Sequence, residues 1–267
     1  MKHANRYNLL GQIPIVGKLF RDFDKSAGEN GIHRAVTDII KKTKTRIIVH
    51  GLIKDTIEIL KSKPVILVAN NPYDFELILL IAALPKRADI FTIAGSDLMG
   101  AGPNTSSYFI PVFIHKYIDK GSHKLSVKVA KLLHLGPRFS PSIEHKKNIE
   151  NIEHAVSKVK AGGLVLIFPE GILKKGSPWF SGIGYLLNAF GRESNAFYVR
   201  TYIQGTSHFD IFRLTPIVKK LFSPLNVYFD RPKELPFVIN AKEDPKEITK
   251  NLQADYNRWI ATLEKKF

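Results

Sequence analysis

The chain has no cysteine and no long apolar run, and acidic residues are scarce beside basic ones. Each shortage removes a class of function. Without cysteine there is no disulfide scaffold, no thiol nucleophile and no cysteine metal site. The longest apolar run, Leu77 to Leu84, is far below the ~20 residues that cross a bilayer. The opening stretch Met1 to Asn8 is polar and lacks the apolar core of a signal peptide, so a soluble or surface-bound protein is expected. The histidines His3, His33, His50, His123, His134, His145 and His154 show no metal-ligand spacing with carboxylates, so no metal site is expected.

The imbalance of charge points outward. Forty Lys plus Arg against 24 Asp plus Glu give a formal net charge of +16, which implies an anionic partner: nucleic acid, an anionic bilayer or a phosphorylated substrate. Basic pairs recur at Lys41-Lys42, Lys146-Lys147, Lys174-Lys175, Lys219-Lys220 and Lys265-Lys266. They lack the aromatic interleaving of a base-stacking platform, and no DNA-reading motif accompanies them, so no specific nucleic acid is expected.

With 267 residues, 44% of them hydrophobic, the chain can bury a full core as one large α/β domain. Residues 1–44 read as a basic amphipathic helical segment. In it Leu9, Leu10, Ile13, Val16, Leu19, Phe20 and Phe23 recur at roughly helical spacing, with Gly11, Pro14 and Gly17 set against a long unbroken helix. A second stripe, Ile32, Val36, Ile39 and Ile40, ends in Lys41, Lys42 and Lys44; it suits either a membrane interface or a core-packed helix.

From 45 to 267 strand-like and helix-like stretches alternate. Candidate strands are Arg46 to His50, Val65 to Ala69, Ile90 to Ala94, Phe109 to Ile114, Leu164 to Phe168, Phe197 to Ile203 and Leu225 to Phe229. Ile149, Ile152, Val156 and Val159 make a helical stripe that stops at Gly162-Gly163. The last helix starts at Asp244 as N-cap, with Pro245 in its first turn and Glu247 three residues on, and is expected to bury Ile248, Leu252, Trp259 and Leu263. The alternation predicts a single mixed, largely parallel sheet covered by helices on both faces.

Two segments have the form apolar strand, polar loop, helix: PVILVANNPYDFELILL (64–80) and GLVLIFPEGILKKG (163–176). Ligands in open α/β sheets bind beyond the carboxyl ends of strands, so these loops are the places to look. If their strands are neighbours, both loops line one site.

These two segments, with DIFTIAGSDL, FIPVFIHK, SPWFSGIGYLL and LNVYFDRP, resemble in order and spacing the glycerol-phosphate and lysophosphatidate acyltransferase superfamily over roughly residues 45 to 262. The block Phe168-Pro169-Glu170-Gly171 is the most specific part. The resemblance implies an α/β fold and a cytoplasmic protein held peripherally on a membrane. It implies O-acyl transfer from acyl-CoA or acyl carrier protein, as co-substrate and without a cofactor, to a lysophospholipid or glycerol-phosphate-type acceptor. Phe168 to Gly171, with Lys174, would bind substrate.

The chemistry-bearing positions depart from the family pattern. The first motif places a histidine base at Asn71 and its orienting carboxylate at Glu76, with Asp74 between them. Attack of an alcohol on a thioester needs a group near neutral pKa to take the hydroxyl proton, and an amide side chain has negligible basicity. The phosphate-holding arginine of the second motif falls near His115 and Lys116, and Lys116 keeps the charge without bidentate geometry. The third motif continues here as Ile172, Leu173 and Lys174, and the proline of the fourth is Arg200. His115, His208, Asp74 and Glu76 are the candidates to replace the base. Three readings follow: an acyltransferase with an impaired base, a lipid- or acyl-thioester-binding protein on the same fold, and, on charge alone, a nucleic-acid binder.

Overall fold

In a computed structural model, the described residues are 14–73, 75–96, 98, 102–113, 139–171, 176–190, 195–207, 209–210, 213, 223–238 and 243–265. Helices α1 (Pro14–Asn30) and α2 (Ile32–Lys42) precede β1 (Ile47–His50), α3 (Lys54–Ser62), β2 (Val65–Ala69), α4 (Glu76–Ala83) and β3 (Ile90–Gly95). Then come the short α5 (Pro103–Ser106), β4 (Phe109–Val112), α6 (Pro141–Lys160), β5 (Leu164–Ile167), α7 (Gly182–Asn188), β6 (Phe197–Gln204), β7 (Leu225–Phe229), β8 (Lys233–Glu234) and α8 (Pro245–Glu264).

The strands form one sheet in the order β1-β7-β6-β2-β5-β3-β4, with β8 pairing β6. From β6 to β4 every neighbour is parallel. β7 runs antiparallel to β6, and β1 runs parallel to β7. The sheet is therefore mixed and mostly parallel, as the alternation of elements predicts. The expected strands form within a residue or two of their predicted ends, and Ile114 lies outside the described residues. The two-residue β8 has no apolar pattern and was not expected.

Period-two side-chain alternation makes the sheet the middle of three layers. Val65, Leu67 and Ala69 of β2, with Leu164 and Leu166 of β5, face α2 and α4; Ile66, Val68, Val165 and Ile167 face α6, α7 and α8. All of β2 is buried, which explains its uninterrupted apolar sequence.

The N-terminal helices correct one expectation. α1 runs unbroken through Gly17, and Pro14 is its first residue, where a missing N–H costs nothing. In α2, Ile32, Ala35, Val36 and Ile40 join the core cluster, so its apolar stripe packs on the sheet layer and does not face a bilayer. Leu9, Leu10 and Ile13 lie outside the described residues.

The C-terminal elements largely follow the local chemistry. α6 stops in a Schellman arrangement, with Gly163 N–H bonded to Lys158 O at 2.9 Å and Gly162 N–H to Val159 O at 2.9 Å. Gly162 takes φ 99°, a conformation that favours glycine. Ile149, expected on the buried stripe, is exposed, and Ala155 takes a core place beside Val156 and Val159. α8 begins as expected, with Asp244 accepting the Lys246 N–H at 2.8 Å. It buries Ile248, Leu252 and Tyr256, while Trp259 is half-buried and Leu263 only partly covered.

One buried arginine gathers the strand entrances at the amino edge of the sheet. Arg87 donates to Leu60 O at 2.9 Å, Lys63 O at 3.0 Å and Gly162 O at 2.8 Å, and forks onto Asp89 with two 2.7 Å bonds. It thereby joins the chain just before β2, β3 and β5. The Arg87 hydrogen bond holds the Asp89 carboxyl below its usual range against a smaller opposing effect of burial. A lowered carboxyl pKa stabilises the fold above the unfolded-state value and is lost as pH falls through the folded value. Asp89→Asn is therefore expected to lower the melting temperature at neutral pH, by the equivalent of about 1 kcal/mol or less because the carboxylate is half-exposed. Melting curves of the two proteins should converge in acid.

Candidate functional site

The first loop leaves the carboxyl end of β2. Asn70, buried, places its amide against the backbone of Ile203: Nδ2 donates to the carbonyl at 2.9 Å and Oδ1 accepts the N–H at 2.8 Å. Because Ala69 pairs with Thr201 in the β2/β6 register, this side chain extends the ladder after the backbone has turned away. Asn70 is thus a structural clamp. Asn70→Ala would leave both Ile203 groups without the amide, an expected cost of about 2–3 kcal/mol. A lowered urea midpoint and lost hydrogen-exchange protection at the Ile203 N–H would report it.

Asn71 follows, half-buried, at the end of the strand. Glu76 opens α4 and is fully buried; its Oε2 accepts the Tyr73 N–H at 3.1 Å. A carboxylate in the first turn of a helix sits at the positive end of the helix dipole. Here it pins the loop that carries Asn71.

The second loop leaves β5, which is hydrogen-bonded to β2 with Val68 opposite Ile167. Phe168, Pro169 and Glu170 therefore emerge beside Ala69 and Asn70, and all three are buried. Gly171 N–H bonds Phe168 O at 2.9 Å, and Phe180 N–H bonds Pro169 O at 2.9 Å. Gly171 has φ 56°, and a Cβ there would lie 2.8 Å from the Phe180 ring, so this turn requires glycine on two counts. Glu170 Oε1 accepts the Gly176 N–H at 3.1 Å and draws the far end of the loop inward.

Beneath both loops lies α8. Gln253 accepts the Trp179 N–H at 3.1 Å and donates to Ser177 O at 2.8 Å, which ties the segment after the second loop to the helix. One turn on, the buried Tyr256 hydroxyl donates to Thr201 O at 2.7 Å. Burial pushes this hydroxyl well above its ordinary pKa, the neighbouring Glu170 carboxylate adds to the rise, and the Asn70 backbone opposes it. Tyr256 thus stays neutral and sits where the two loops converge.

Arg200, at the position matched to the fourth-motif proline, points to the other loop-bearing elements. It donates to Asp230 at 2.8 Å, to Asp255 Oδ2 at 2.6 Å and to the Asp255 carbonyl at 3.0 Å, with its guanidinium 5.2 Å from the Trp259 ring centroid. β6, the end of β7 and α8 are locked together by one cation. Burial also pushes the nearby Tyr198 hydroxyl far above its ordinary value, against the attraction of Arg200.

Of the residues singled out by sequence, Asn71, Glu76, Phe168, Pro169, Glu170 and Gly171 come together at the carboxyl edge on adjacent strands. Asp74, His115, Lys116, Lys174 and His208 lie outside the described residues. Among the described residues no group of three metal-ligating side chains converges. Tyr256 was missed, although its spacing of four from Leu252 and eight from Ile248 places it on the buried stripe. Gln253 and Arg200 carry no sequence signal for their partners, which are 30 or more residues away.

No family model and no curated protein matches the chain. Its fold is similar to a solved acyltransferase. That protein is the 1-acyl-sn-glycerophosphate (LPA) acyltransferase PlsC from Thermotoga maritima, 16% identical, covering 97% of this chain and 95% of that one with a TM-score of 0.49. At that identity and score, what this chain does has to be read from its own residues.

Proposed function

We propose that the chain binds an acyl thioester and a lysophospholipid- or glycerol-phosphate-type acceptor at the carboxyl edge of its sheet, at an anionic membrane surface. There it is an O-acyltransferase with an impaired base. The observation that carries this is the pairing of β2 with β5, which sets the Asn71 to Glu76 loop beside the Phe168 to Gly171 turn. The two strand-loop-helix segments of the sequence share one edge, at the place where parallel α/β sheets bind ligands, whereas LNVYFDRP on antiparallel β7 ends at the opposite edge.

In this reading Glu76 orients the group at position 71, and the Phe168 to Gly171 turn supports substrate, with Lys116 and Lys174 supplying charge toward a phosphate. Asn71 offers a hydrogen bond to the attacking hydroxyl and cannot take its proton. The same residue favours a second reading, in which the site binds an acyl thioester or lysophospholipid without turning it over. No helix among the described residues is long and apolar enough to cross a membrane, which fits a peripheral location.

The test incubates the full chain with labelled acyl-CoA and lysophosphatidate and follows both ligand binding and phosphatidate formation by mass spectrometry. Saturable binding with slow or no product is expected. Neither binding nor product would overturn both readings.

A further inference from the structure

We infer that the carboxyl edge of the sheet is itself the surface that lies on an anionic lipid bilayer, with contacts on both sides of the two loops. The inference extends the proposed function by naming the docking face, and docking can be read without turnover.

Three separate elements carry it. β6 ends at Gln204 on the carboxyl edge, where antiparallel β7 begins at Leu225; Phe209, between them in sequence, is 67% exposed. β1 runs parallel to β7 with Ile47 opposite Leu225, and Arg46 O accepts the Leu225 N–H, so the chain enters β1 from the same edge. The exposed Lys41, Lys44 and Arg46 are therefore presented there. At the opposite side of the sheet, Asn148 of α6 grips Phe113, just past the carboxyl end of β4, through both its N–H and its carbonyl. The two turns before Asn148 project beyond the edge and expose Ile143 and Lys146.

Among the described residues, two acidic side chains near these points are turned inward, while Glu150, one turn after Lys146, is exposed. Between Lys41 and Lys54 there is no aspartate or glutamate. Glu144 is buried, and Asp210, next to Phe209, is buried and paired with Arg213. The rim thus combines exposed cations with large apolar side chains that protrude, the pattern of an interfacial surface. Seven strands side by side span roughly 30 Å at the ordinary strand spacing, so Arg46 and Lys146 are too far apart for one small anion and suit an extended one. Nucleic acid would use the cations and leave Phe209 and Ile143 without a role. A bilayer uses both.

The experiment sediments the full chain with phosphatidylcholine vesicles, alone or containing phosphatidylglycerol. A basic residue close to an anionic surface contributes about fivefold to binding, so the triple change Lys41→Gln, Lys44→Gln, Arg46→Gln is expected to weaken it roughly 100-fold. Phe209→Ser with Ile143→Ser should weaken it about tenfold. Lys54→Gln, Lys61→Gln, Lys63→Gln removes the same charge from the opposite edge, beyond a Debye length, and should cost less than about threefold. All these positions are exposed, and unchanged melting temperatures would establish that the variants fold. Equal losses from the two triple variants would overturn the face. So would equal binding to neutral and anionic vesicles, or competition by duplex DNA in a protein indifferent to the two serines. Loss of acyl transfer with vesicle binding retained would instead count against the proposed chemistry alone.

Discussion

Asn71→His is expected to raise acyl transfer to lysophosphatidate by about 10² to 10⁴-fold over a slow or undetectable starting rate, the range that a positioned general base contributes. The reasoning is chemical. An alcohol attacking a thioester sheds its proton in the transition state, and the asparagine amide can accept a hydrogen bond from the hydroxyl without removing that proton. Position 71 stands at the end of a wholly buried strand, one residue after the Asn70 clamp, so its backbone is held from two directions. Glu76 is buried in the first turn of α4 and already holds the same loop through Tyr73. On the proposed reading, an imidazole placed there uses the Glu76 carboxylate for its other ring nitrogen. The base must be neutral to act, so the gain should fade as pH falls through the ordinary histidine range near about 6.5. Robust wild-type turnover that Asn71→Ala abolishes would sink the impaired-base reading, because it would give the amide an orienting or electrostatic role.

The second large effect concerns stability. Arg200→Leu is expected to destabilise the fold by about 3–5 kcal/mol, nearer the lower figure because Asp255 is partly exposed. The guanidinium is 8% exposed, and Asp230, 18% exposed, would be left largely buried without its cation. Asp255 would lose its shortest ion pair and the donor to its carbonyl, and would keep Lys233 at 3.5 Å and Arg258 at 3.6 Å. Arg200→Lys keeps the charge but cannot fork to two carboxylates and a carbonyl at once, so its loss should be intermediate. Urea denaturation of the three proteins reads the order directly. A leucine variant as stable as wild type would mean that apolar packing against Trp259 and Tyr198 substitutes for the ion pairs.

Much of this architecture is legible one residue at a time. The strands are short runs of Val, Ile, Leu and Phe between turn residues, and the ends of α6 and α8 are announced by Gly162-Gly163 and Asp244-Pro245. What stays hidden is partnership across the chain. Nothing local tells that Asn70 spends its amide on Ile203, or that Arg200 reaches α8, because hydrogen-bond partners 133 and 55 positions apart leave no periodic trace. The α2 stripe shows a different limit: an apolar face looks the same in sequence whether lipid or a sheet covers it, and here the sheet layer does. Ile149 was assigned to the core by spacing, yet the helix rotates it outward and Ala155 fills the seam.

The strand order also constrains how the polypeptide comes together as it is made. β2, the most deeply buried strand, finds its two neighbours in β5 and β6, whose first residues are Leu164 and Phe197. β1 waits longer still, for β7 beginning at Leu225. A nascent chain that has emerged only as far as α6 therefore displays VILVA with both edges unsatisfied, a segment prone to pair with other chains. The helices α2 and α4 pack against one face of that strand, but its hydrogen bonds stay open until more than half of the protein has been synthesised. Slow folding dominated by these distant pairings, and a need for protection during translation, follow from the order of the strands.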